Sequence, residues 1–188
     1  MQADRSTELK ALLAQRILIL DGGMGTMLQR QNLTAADFGG EAYEGCNEQL
    51  AITKPDAIGS VHELYLKAGA DIIETCTFGS TPMVMDEYGL GSQAYEITRA
   101  ATRIARGLAD SYSTGDKPRF VAGSIGPTTK SLSLTGGATF QELVDGFALQ
   151  AEALMEGGAD YLLLETLIDT LNCKAGVVGI RQAFRKLG

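Results

Sequence analysis

Tryptophan is missing from this 188-residue chain, histidine occurs once, and there are three cysteines and four prolines. With a single imidazole, no Ser-His or Cys-His dyad can form unless His62 reaches a strand end. His62 instead falls beside Val61 on a helical stretch outside the expected sheet, where a surface or half-buried structural role is expected. Three widely spaced cysteines make no disulfide framework and suit a reducing cytosol. No apolar run approaches the ~18 residues of a spanning helix. Met1 to Lys10 is polar and charged, so no signal peptide is expected. Basic residues are in deficit, 16 Lys and Arg against 23 Asp and Glu, a net charge of −7. A field of that sign argues against nucleic acid and anionic membranes as partners. No stretch rich in Pro or Ser marks a linker.

What remains is apolar and rich in glycine: 45% hydrophobic residues and 23 glycines. That suffices for one core and one domain, residues 1–188. Four apolar runs bounded by Gly, Asp or Pro predict buried parallel strands at 16–20, 70–73, 119–122 and 160–164. Helical patterns separate them. Thr53 is the expected N-cap of a helix with Pro55 in its first turn, a stripe of Ile58, Val61, Tyr65 and Ala68, and Gly69 as its stop. Ile97, Ala101, Ile104 and Leu108 repeat with helical spacing. Thr139-Phe140-Gln141-Glu142 reads as a capping box, with Gly157 and Gly158 ending that helix. Cys173, Val177, Ile180, Phe184 and Leu187 form a last stripe, with Gly188 as its cap. A faint echo links Gly69-Ala70-Asp71 to Gly158-Ala159-Asp160.

Alternating strands and helices after a helical lead-in give an α/β fold with a parallel sheet. Strand spacings of 53, 49 and 41 residues suit a barrel with elaborated loops. A (β/α)8 barrel needs about 250 residues, so the chain reads as an open α/β domain or as the first half of a TIM barrel. The half barrel leaves two open edges, a poorly covered inner face and a tendency to self-associate.

In parallel α/β folds functional groups collect at the carboxyl ends of strands. Asp21, Glu74 or Thr75, Thr77, Ser124 and Glu165 stand there. Asp21 and Glu165 can hold an ammonium group, and glycine-rich backbone at 21–25 and 124–126 can hold a carboxylate, which together suit a small zwitterion. The same two acids serve equally as helix caps at loop starts. Gly23-Met24-Gly25-Thr26-Met27-Leu28 has Leu where a dinucleotide fingerprint needs its third glycine, and there is no Walker lysine. Cys46, Cys76 and Cys173 share no ligand spacing, and Cys173 lies on the last apolar stripe as a core residue.

These segments resemble a known family. Leu20-Asp21-Gly22-Gly23-Met24-Gly25-Thr26-Met27, the run from Gly69 through Glu74-Thr75-Cys76-Thr77-Phe78, Gly123-Ser124-Ile125-Gly126-Pro127-Thr128, and Gly158 through Glu165-Thr166-Leu167-Ile168-Asp169 are similar, in order, to the first four strands of homocysteine S-methyltransferase domains. The wording is closest to the N-terminal domain of cobalamin-dependent methionine synthases. The resemblance implies a (β/α)8 barrel that holds homocysteine at its strand ends. It implies a zinc ion on three cysteines that binds the substrate sulfur, and a methyl group arriving from methylcobalamin on another domain, recharged by a folate domain. By position, Asp21 and Glu165 correspond to residues that hold the substrate amino group, Gly22 and Gly23 to the loop around its amino-acid end, and Thr77 and Gly126 to pocket lining.

The family's zinc cysteines belong to later strands, and Cys46, Cys76 and Cys173 do not match them. Cys76 stands where the cobalamin enzymes carry Asn. The expectation is therefore a cytoplasmic half barrel with half a substrate pocket, without zinc ligands or a cobalamin domain, and inactive alone. The alternatives are a parent using betaine or S-methylmethionine, and a non-catalytic α/β binding module.

Overall fold

The computed structural model describes residues 5–130, 132 and 136–187. Its centre is a parallel sheet of three strands in the order β1 (Ile72–Glu74), β2 (Phe120–Ile125), β3 (Tyr161–Leu164). β1 pairs Ile72 with Phe120, and β2 pairs Ala122 with Tyr161. Among the described residues, five helices of eight residues or more accompany it: α1 (Ser6–Leu13), α2 (Pro55–Ala68), α3 (Ala94–Tyr112), α4 (Phe140–Gly157) and α5 (Thr170–Leu187). None of the helices is long and apolar enough to cross a membrane.

The expected first strand, 16–20, is a correction. It runs extended beside β1 but joins the ladder only through a Leu20–Ile72 bridge. The Ile19 carbonyl accepts from the Asp71 and Ile72 N–H groups, and Asp21 N–H donates to the Ile72 carbonyl. The apolar run misled because nothing described flanks it on its other side: Ile17 is 83% and Ile19 55% exposed. β2, with a neighbour on each edge, is buried throughout.

Helices cover one face of the sheet and part of the other. Ile73 and Val121 pack against Leu66, Ala105 and Ala109 of α2 and α3, while Ile125, Leu162 and Leu164 join the α4–α5 core. The opposite face carries Ile72, Phe120, Ala122, Tyr161 and Leu163, and Leu9 and Leu12 of α1 pack on it. The lead-in helix thus covers part of the face expected to be bare. Arg5, just before α1, tethers it: the guanidinium lies 4.5 Å from the Phe120 ring centre, donates to the Arg119 carbonyl at 2.9 Å and approaches Asp160 at 3.6 Å.

The helix ends follow local chemistry. Gly69 and Gly158 close α2 and α4 in left-handed conformations. Thr139 and Glu142 form the expected capping box. Lys54, not Thr53, caps α2, because the Thr53 hydroxyl donates to the Gln49 carbonyl one turn back and closes a short turn, Leu50–Thr53.

The face of α5 is a second correction. Asn172, Ala175, Gly176, Gly179 and Ala183 are buried, whereas Cys173 is half-buried and Val177 and Phe184 are 40% and 49% exposed. Small residues let the backbones of α4 and α5 meet: a Cβ on Gly179 would sit 2.6 Å from the Val144 carbonyl oxygen. A reading that follows large apolar residues misses such a contact. Gly188, the expected cap, lies outside the described residues. His62 is fully buried, not at the surface, and burial with no partner for either ring nitrogen pulls its pKa down to about 4.

The sequence echo has a structural meaning at the strand starts. Asp71 N–H donates to the Ile19 carbonyl and Ile19 N–H donates back to Asp71 Oδ2. Asp160 does the same with Val121. Each carboxylate also takes an arginine, Arg16 on Asp71 and Arg106 on Asp160.

Candidate functional site

At the other end of the sheet, the chain turns out of 16–20 at Asp21. Its Oδ1 accepts from Glu74 N–H at 3.0 Å. Burial, then the nearby Glu74 and Glu165 charges, raise its carboxyl from 3.8 to about 7, although two backbone N–H groups oppose the shift. Glu74 ends β1 on the sheet face shared with Ile72, and burial and the Glu165 charge push its carboxyl above the usual range. Glu165 follows β3, its N–H on the Ile125 carbonyl at 3.0 Å. Its Oε1 accepts from the Ser124 hydroxyl at 2.6 Å. Tyr161, two pairs earlier on the same face of β3, is raised to about 12 by burial and by Glu74 and Asp21. None of the ion pairs among the described residues includes Asp21, Glu74 or Glu165.

The glycine positions divide. Gly22 and Gly23 are exposed beside Asp21, against Tyr65, whose hydroxyl lies 3.5 Å from the Gly23 carbonyl oxygen. Gly126 is buried beneath the Phe78 ring, where an added Cβ would come within 2.8 Å of three ring carbons. Its N–H donates to the Phe78 carbonyl at 3.0 Å, so glycine allows the β1 loop to cross the end of β2. Thr77 is fully buried below this crossing, with its hydroxyl donating to the Ser124 carbonyl at 2.7 Å.

Asp21, Glu74 and Glu165 are therefore brought within electrostatic reach, with Gly22 and Gly23 adjoining by chain. Thr77 and Gly126 are instead buried at the crossing of the β1 loop over β2. Sequence reasoning singled out Asp21 and Glu165 but left Glu74 interchangeable with Thr75, and passed over Tyr161. The strand period of two was the available signal, since Ile72 and Glu74, like Tyr161, Leu163 and Glu165, alternate onto one face. An open groove of about 660 Å³ lined by Pro82, Met83, Lys130 and Leu149 involves none of these residues.

The three cysteines are not gathered into one ligand group among the described residues. Cys46 and Cys76 are buried, and burial raises the first thiol to about 11 and the second well above its ordinary value. Cys173 is on α5, and among the described residues no group of three or more His, Cys, Asp or Glu can hold a metal ion.

Comparison with solved structures places this arrangement. The homocysteine methyltransferase MmuM from Escherichia coli in its metallated form superposes with a TM-score of 0.76 at 25% identity, over 95% of this chain and 63% of that one. Its oxidised form gives 0.76 and 26% over 95% and 62%. The chain thus spans less than two thirds of the length of these proteins. The sequence model that describes homocysteine S-methyltransferases matches residues 18–186, nearly everything from the extended edge to the end of α5. With four motifs in order, the strand-end acids and this match in agreement, the chain belongs to the homocysteine S-methyltransferase family.

Proposed function

We propose that this chain is the first half of a (β/α)8 barrel and holds the amino-acid end of homocysteine in a methyl transfer to the homocysteine thiol. The observation that carries this reading is the convergence of Asp21, Glu74 and Glu165 on the strand ends, without a described ion-pair partner, beside the exposed Gly22-Gly23 backbone. Desolvated carboxylates without a counter-ion repel one another, and a bound ammonium group relieves that repulsion. Asp21 and Glu165 hold the ammonium, and the Gly22 and Gly23 amides receive the carboxylate. Thr77 and Gly126 shape the floor.

The methyl donor in this reading is methylcobalamin presented by a separate domain, as the wording of the four motifs suggests, and the reaction is cytoplasmic. Zinc is supplied by residues other than those described, so the chain does not methylate homocysteine alone. The open edges at 16–20 and β3 are where it associates with further barrel strands or with itself. Calorimetric titration with homocysteine tests the reading. Binding is expected, with loss of at least tenfold in D21N or E165Q, the scale of a charged contact. Equal affinity for 4-mercaptobutanoate, which lacks the amino group, sinks it. Methionine formed from homocysteine and methylcobalamin by the chain alone overturns the claim of inactivity.

A further inference from the structure

We infer that Ser124 is the positioning residue of the site, and that a closed ring of hydrogen bonds between β2 and the loop after β1 fixes it so that its hydroxyl aims the Glu165 carboxylate. This rests on the reading that Glu165 holds the homocysteine ammonium.

Every polar group of Ser124 is engaged. Its N–H donates to Thr75 Oγ1 at 3.0 Å, and its carbonyl accepts from the Thr77 hydroxyl at 2.7 Å. The two threonine hydroxyl oxygens are 2.6 Å apart. A hydroxyl has one proton. Thr77 spends its proton on the Ser124 carbonyl, so Thr75 donates to Thr77. The circuit then closes: Ser124 N–H to Thr75, Thr75 to Thr77, Thr77 to the Ser124 carbonyl. Gln150 of α4 adds Nε2 contacts to the Thr77 carbonyl at 2.7 Å and the Ser124 carbonyl at 3.4 Å. All four residues are buried. The remaining group, the Ser124 hydroxyl, donates to Glu165 Oε1 at 2.6 Å.

The arrangement leaves Ser124 little freedom and gives the flexible glutamate one defined anchor. A glutamate side chain otherwise loses rotamer freedom when a ligand orders it. An oxygen anchored in advance leaves Oε2, met only by the long 3.4 Å contact of the exposed Thr166 hydroxyl, for the ligand, and the cost of ordering is met before binding. Thr75 and Thr77 act one step further back, through Ser124.

The test measures affinities of the wild-type chain, Ser124→Ala, Glu165→Gln and the double variant for homocysteine and for 4-mercaptobutanoate. Ser124→Ala is expected to weaken homocysteine about tenfold, as for one hydrogen bond to a charged group, and to leave 4-mercaptobutanoate unchanged. In the Glu165→Gln background it is expected to add nothing. Thr77→Val, which breaks the ring without touching the Ser124 hydroxyl, is expected to weaken homocysteine alone, about threefold. A purely structural serine lowers both affinities together, and that result, or no change in either, overturns the inference. A wild-type chain that binds homocysteine no better than 4-mercaptobutanoate overturns the reading of the site beneath it, an outcome distinct from failure of Ser124 alone.

Discussion

Where the strands begin, Asp71 and Asp160 each carry an arginine and a backbone N–H from the preceding strand. Where the strands finish, Asp21, Glu74 and Glu165 face one another, and no described ion pair reaches them. The Arg16 guanidinium holds the Asp71 carboxyl below its ordinary value, while burial lifts Asp21 to about 7. The same residue types, one sheet-length apart, are thus set in opposite states. At the starts, carboxylates serve the fold by locking strand to strand. At the ends, burial works against the charge of Asp21 and Glu74.

The contrast predicts opposite signs for similar substitutions. The largest effect is expected at the strand starts. Asp160→Ala removes one of two acidic partners of Arg106, which keeps Asp110 at 2.7 Å, takes away the Arg5 contact and orphans the Val121 N–H. A loss of about 3–5 kcal/mol is expected in urea unfolding, from an unpaired buried N–H together with lost hydrogen bonds to a charged group.

At the strand ends Asp21→Asn is expected to stabilise. The folded carboxyl ionises near 7 and the unfolded one near 3.8. Across that window the folded state keeps a proton that the unfolded chain has lost. The Asp21 contribution is therefore intact below about pH 4 and is lost as pH rises through 7. Asp21→Asn should gain about 2–4 kcal/mol over the wild type at pH 8 and nothing near pH 4. His62 slopes the other way. Its folded pKa of about 4 lies below its ordinary 6.5, so stability falls as pH drops through that range. His62→Leu should flatten the acid limb and leave the Asp21 slope to be read alone. A gain from Asp21→Asn that does not depend on pH would erase the distinction between the two ends.

The smallest effect is expected away from both ends. Lys67 and Glu63 pair one turn apart on the exposed side of α2. Lys67→Ala should leave the unfolding midpoint unchanged, because solvent screens such pairs.

Much of this was legible in the residues themselves. Helix caps announce themselves locally, and Gly69, Gly158 and the Thr139–Glu142 box fall where the sequence places them. Asp21 and Glu165 follow from strand ends alone. What escaped depends on partners distant in sequence. The run at 16–20 has a strand's composition but only one neighbour. The buried face of α5 is built from Gly176 and Gly179, which hydrophobicity does not mark. His62 is buried by the packing around α2, and no local pattern separates it from a surface histidine. Ser124 stands out only once Thr75, Thr77 and Gln150 are seen around it.

The tether of α1 has a consequence in time. Arg5 reaches the Arg119 carbonyl, the Phe120 ring and Asp160, all far along the chain. During synthesis at about 5–20 residues per second, α1 is made roughly 7–30 s before Asp160. α1 is then made before the sheet it covers and is among the last elements to dock, and until it does that face of the growing sheet is open to chaperones and to neighbouring chains.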